Sequence, residues 1–167
     1  MNSNTVDLLT GYATTQALLG DGQYGDKSFN TPGGVPPWMV PPPGFEPFDY
    51  TNNIIIGVVG ITTTILNFVV DNGWDGVIKR FYHNYLGTAF LEGSGDLVWS
   101  ILADGRPIKN FGAITTSMGN AATPRLTDGI RIYAGQTITY TCNHAANVVL
   151  TDQVVASLAG YFYPRQD

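Results

Sequence analysis

Cys142 and His144 stand two residues apart in TYTCNHAANVV, and a second histidine, His83, lies in RFYHNYL. In an extended strand such a pair shares one face at a Cα spacing of about 6.6–6.8 Å. A thiol and an imidazole so placed have the relation of nucleophile and base. A hydrolytic site also needs an acidic orienter and a Gly-rich oxyanion turn, and no such turn abuts Cys142. The pair therefore reads as a small buried thiol beside a strand-end histidine, and no catalytic residue is assigned. Glycoside hydrolysis needs two carboxylates facing across a cleft. Glu46 and Glu92 are the only glutamates. One cysteine and two histidines lack any zinc spacing. Asp71, Asn72 and Asp75 share one loop, and Asp96, Asp128 and Asp152 fall near strand ends, where a calcium ion could be held. No D-x-D-x-D-G spacing occurs, and Asp before Gly is ordinary turn chemistry, so no metal or cofactor is assigned. Phosphate loops of the GxGxxG or Walker type need a following helix, which the pattern does not offer. Arg106, Arg125, Arg131 and Arg165 are candidate interface anchors, since Arg is enriched where proteins meet.

The elements that must position these residues are strands. From Gly95 to Thr116 the run GDLVWSILADGRPIKNFGAITT reads as a hairpin. Leu97, Trp99 and Ile101 alternate with Val98, Ser100 and Leu102, Asp104-Gly105 tolerates the positive φ of a tight turn, and Trp99 is the aromatic anchor of the core. The same texture predicts eight strands, at about 52–59, 63–70, 76–86, 96–103, 107–116, 129–134, 136–143 and 154–163. Turns such as Asn72-Gly73, Asp75-Gly76, Asp128-Gly129 and Ala134-Gly135 separate them. In the later strands Ile130 and Ile132 are expected inside with Arg131 and Tyr133 outside. Ile138, Tyr140 and Cys142 are expected inside against Thr137, Thr139, Thr141 and Asn143. Eight antiparallel strands suit a two-sheet sandwich of jelly-roll type. An immunoglobulin-like sandwich is the competing arrangement, disfavoured by the lack of a cysteine pair around the core Trp.

Residues 1–50 differ in character from residues 51–167, which form the sandwich. Seven prolines fall between Pro32 and Pro47, and none follows until Pro107. Leu8, Leu9, Leu18 and Leu19 suit one or two short helical turns. The stretch GGVPPWMVPPPGFEPFDY must be largely extended. Exposing a large apolar side chain is unfavourable by ~1.5–3 kcal/mol. Trp38, Met39, Val40, Phe45, Phe48 and Tyr50 therefore want a surface, which is the chain's own sandwich, a neighbouring copy or another protein. Residues 1–51 hold one Lys against four Asp and one Glu. The chain thus reads as an N-terminal docking arm, net acidic, joined to a sandwich.

Only 13% of residues are charged and the formal net charge is −5. Lys79-Arg80 is the only adjacent basic pair, so no phosphate-tracking surface exists and nucleic-acid binding is not expected. MNSNTVD lacks a basic segment followed by an apolar run, and the run from Ile54 to Ile61 is far too short to span a bilayer. A soluble chain without a membrane partner is the expectation. With Cys142 alone, no intrachain disulfide can form.

The run GSGDLVWSILADGRPIKNFGAI, followed by TPRLTDGIRIYAGQTITYTCNH and VVASLAGYFYP, resembles the jelly-roll head decoration (cement) proteins of tailed bacteriophages over roughly Trp74 to Pro164. That family carries no catalytic or binding motif, so no site residue follows from it. The resemblance implies a non-enzymatic homotrimer on the capsid exterior, with a terminal arm clasping the major capsid protein or a neighbouring virion protein. The competing class is a receptor- or carbohydrate-binding sandwich module of a phage fibre or tail, with Trp74, Tyr82 and Tyr85 stacking on sugar rings. Such a module has no evident need of the long Pro-rich arm.

Overall fold

A computed structural model of the chain describes residues 36–56, 62–91, 93–144 and 151–165. The expected helical turns around Leu8 to Leu19 and the end of the strand expected at 52–59 lie outside these residues. The strands are β1 Glu46–Ile55, β2 Thr62–Val69, β3 Trp74–Leu86, β4 Leu97–Ala103, β5 Arg106–Pro107, β6 Arg125–Ile132, β7 Thr137–His144 and β8 Gln153–Pro164. They form two four-stranded sheets, ordered β1-β8-β3-β6 and β2-β7-β4-β5, with antiparallel neighbours. No helix occurs among the described residues.

Period-two alternation decides which side chains meet between the sheets. On β4 Leu97, Trp99 and Ile101 are buried while Val98, Ser100 and Leu102 are half-buried, and on β7 Ile138, Tyr140 and Cys142 turn inward as expected. Ile130 and Ile132 on β6 likewise join the core. Trp99 stands opposite Cys142 in the β4–β7 register and stacks on His83 at 4.5 Å between centroids. Burying 150–250 Å² of Trp at ~25 cal/mol per Å² stabilises the fold by about 4–6 kcal/mol. β3 carries a bulge between Ile78 and Arg80, which resets its phase. Ile78 faces the core before it, and Phe81, His83 and Tyr85 do so after it. β8 lies so close to β3 here that a Cβ at Gly160 would overlap the Val77 carbonyl oxygen.

The Asp104-Gly105 turn is as expected, with φ of 51° and 74°, the left-handed pair that a two-residue hairpin requires. Three strand boundaries differ from expectation. Of the strand expected at 107–116 only Pro107 belongs to β5, joined by Arg106 before it, because Pro107 lacks a donor and Asn110 sits at φ 71°. The chain then runs irregularly along β4, bonding Ile101 to Phe111 and Trp99 to Ile114, and crosses to the other sheet. There His83 and Met118 exchange backbone bonds of 3.0 and 2.9 Å, so one segment covers edges of both sheets. β6 begins at Arg125, paired with Phe81, and stops before 133–136, where Gln136 N bonds the Tyr133 carbonyl in a turn through Gly135. β1 begins at Glu46, earlier than 52, so the expected 50/51 division falls inside a strand. Phe48 and Tyr50 already alternate inward opposite Gly160 and Leu158, and Phe48 is buried.

Candidate interaction surfaces

The residues with reactive side chains are inside. Cys142 has no exposed surface, and burial pushes its thiol up to about 12. It therefore stays a protonated thiol at neutral pH, unsuited to attack or to metal ligation. His144 shares its inward face as expected, buried with Nε2 at 3.3 Å from Thr63 Oγ1. His83 is fully buried. Its Nε2 lies 2.8 Å from the Thr116 carbonyl, which only accepts, so Nε2 carries the proton. Nδ1 is then the acceptor for the Tyr140 hydroxyl, whose ionisation burial raises well above the ordinary value. This pair ties β3 to β7 and, through Thr116, to the crossing segment.

Among the described residues no three of His, Cys, Asp and Glu come together to hold a metal ion. Asp75 accepts a backbone bond from Ala134 N at 3.0 Å. Asp152 is buried and accepts from the Tyr85 hydroxyl and from the amides of Thr88 at 3.4 Å and Ala89 at 3.1 Å. The Tyr85 bond foremost holds the Asp152 carboxyl below the ordinary range, while desolvation foremost raises Tyr85. The cluster pins the chain after β3. Tyr85 is thus committed inward, Trp74 packs against the core cluster, and Tyr82 points out from β3 opposite Ser157. The three aromatics do not share a face.

The six aromatic and apolar residues expected to dock are divided. Residues 36–45 lie over the outer face of the first sheet at one end. They are not extended as expected: Met39 N bonds the Pro36 carbonyl at 2.9 Å and Phe45 N the Pro42 carbonyl at 3.2 Å, closing two turns, the second through Gly44 at φ 82°. Trp38 packs on Val77, Tyr161 and Tyr163. Arg131 places its guanidinium 4.0 Å from the Trp38 ring centroid and 5.2 Å from that of Tyr133, and the Tyr161 hydroxyl donates to the Pro37 carbonyl at 3.0 Å. Burial raises Tyr161 and Tyr163 to about 12. Phe48 enters the core beside Phe162, at 4.5 Å. Met39, Val40, Phe45 and Tyr50 remain exposed at 51%, 45%, 44% and 40%. Phe45 touches Tyr161 edge-on and Tyr50 leans on Phe68, so each has one face held and one open. Of the four candidate arginines Arg131 alone does visible work here, as the clamp on Trp38. The alternation of Arg131 and Tyr133 outward on a strand was its only trace in the sequence.

The outer face of the second sheet has a different character. Its outward positions are Thr62, Thr64, Asn67 and Val69 on β2, Thr137, Thr139, Thr141 and Asn143 on β7, and Val98, Ser100 and Leu102 on β4, read from the register. None is charged. The outward positions of the first sheet include Asp49, Asp75, Arg80 and Arg131.

The fold and its surfaces define an all-β two-sheet sandwich with one end strapped by a proline-rich segment. No family model matches the chain, and no curated protein matches it. Among solved structures it matches the acidic stable capsid structure of Helicobacter pylori bacteriophage KHP30, at 11% identity over 72% of this chain and 94% of that one, with a TM-score of 0.40.

Proposed function

We propose that this chain is a non-enzymatic virion structural protein: a jelly-roll module that sits on the exterior of a bacteriophage capsid as a homotrimer and cements it. Residues 1–50 serve as its docking arm toward the major capsid protein or a neighbouring virion protein. The observation that carries the jelly-roll reading is the strand order. β1, β3, β6 and β8 make one sheet and β2, β4, β5 and β7 the other, so every connection except β4–β5 passes between sheets. Such alternation between sheets supports the wrapping of two Greek keys, which keeps open edges few. The fold hosts unrelated activities, so the role must come from the surface. There the thiol and both histidines are buried. The open apolar side chains of 39–50 gather on a segment already folded into two turns and held to the first sheet through Trp38, which lowers the ordering cost of laying it against a partner. The sequence resemblance to capsid decoration proteins supports the same reading.

Co-sedimentation with purified phage shells lacking this protein tests it. Full-length chain is expected to pellet with shells, and Met39→Asp with Phe45→Asp to pellet at least about tenfold less while melting normally. Failure of the full-length chain to bind any shell, or undiminished binding by the double variant, removes the proposal.

A further inference from the structure

The charge-free face of the second sheet is the feature the docking segment leaves unused, because residues 36–45 lie over the opposite sheet and Phe48 and Tyr50 turn in between the two. Its polar side chains are largely bonded to one another or to the backbone. Thr139 donates to Asn67 at 3.3 Å, Asn143 to Thr62 at 3.1 Å, and Ser100 to the Gly112 carbonyl at 2.7 Å. Polar groups already paired within a surface lose little when water leaves it. Val69 stands 56% exposed at its margin.

We propose that this face, centred on Thr64, Asn67 and Thr139, is the surface through which copies of this chain associate. The inference rests on the structural role proposed above. The charge distribution selects a second copy as the occupant. A chain of net charge −5 repels its own copies. Self-association is least opposed where the meeting surfaces carry no charge to repel or to strip of water. Among the described strands the second sheet offers such a face, with Asp104 and Arg106 only at the hairpin tip. The outer face of the first sheet carries charges of both signs and the strap. A molecule attached to a shell through Met39, Val40 and Phe45 also turns its second sheet away from that contact, leaving it free for a neighbour. The same face would be buried in a two-fold pair or in a closed ring.

Sedimentation equilibrium of the full chain, with shells absent, tests the proposal. Wild type is expected to associate at tens of micromolar. Thr64→Lys and Asn67→Lys, both exposed positions on β2, are each expected to raise the dissociation constant by about 100-fold or more, because a buried unpaired ammonium opposes contact. Thr51→Lys, on the outer face of the first sheet, is expected to change the mass little. Hydrogen exchange in wild type supplies the answer if a lysine variant does not fold: the amides of β2 and β7 should gain protection as concentration rises. A monomeric wild type at 100 µM, unchanged association in both lysine variants, an equal loss in Thr51→Lys, or exchange independent of concentration each overturns the inference. Shell binding scored separately keeps the outcomes apart, since a monomer that still pellets with shells refutes the interface and spares the structural role.

Discussion

Replacing His83 by Phe keeps an aromatic ring of similar volume against Trp99 and deletes two polar partners. The Tyr140 hydroxyl, on a fully buried side chain, loses its acceptor, and the Thr116 carbonyl loses a donor at 2.8 Å. A buried hydroxyl left without its partner costs about 1–3 kcal/mol, and the second bond about 1 kcal/mol because surface-lying Thr116 can turn to water. The expected destabilisation is about 2–4 kcal/mol. Adding Tyr140→Phe removes the stranded hydroxyl and should recover about 1–3 kcal/mol, a coupling that only shared partners produce. Urea titration followed by Trp fluorescence measures both, provided the denaturant slope stays constant. A His83→Phe protein within about 0.5 kcal/mol of wild type, or strict additivity with Tyr140→Phe, refutes the assigned tautomer and the bridging role.

Trp99→Ala should cost ~3–5 kcal/mol through the cavity it leaves, visible as a lowered denaturation midpoint, and a thermally silent variant would show that the core is centred elsewhere. A thiol-specific reagent at pH 8 should leave native Cys142 unmodified and react fully after unfolding, since burial holds the thiol near 12. Stability should fall at both pH extremes. Asp152 is held below its ordinary 3.8, so its contribution is present above that pH and is lost as pH drops through the lower folded value. Tyr161 and Tyr163 are raised from 10.0 to about 12, so theirs is present below pH 10 and is lost as pH climbs toward 12. Melting temperature against pH checks both limbs, and Asp152→Asn should blunt the acid one. An unchanged acid limb in that variant would remove Asp152 as its source.

The sandwich was legible where alternation ran unbroken. LVWSILA and TITYTCN each place apolar residues on one face, and the structure buries both sets, with Trp99 opposite Cys142. Legibility failed at irregular backbone. The bulge before Arg80 shifts which residues of β3 face inward, so His83 and Tyr85 become core while a uniform strand from Ile78 would turn them out. IKNFGAITT alternates like a strand, yet Pro107 and a left-handed Asn110 convert it into a crossing between sheets. At the N-terminal side Phe48, Tyr50, Asn52 and Ile54 already keep period two. The dense prolines before them obscured that the strand begins at Glu46. The site was less legible still, because a surface defined by the absence of charge emerges only when three strands are laid side by side.

The most direct test of the structural role is quantitative mass spectrometry of purified, density-banded phage particles from cells that produce this chain. We expect its peptides in the particle band at a fixed ratio to the major shell protein, and removable without loss of packaged nucleic acid if the chain sits on the outside. Peptides found in the soluble fraction alone, or a ratio to the shell protein that varies from one preparation to the next, would contradict a role as a virion component.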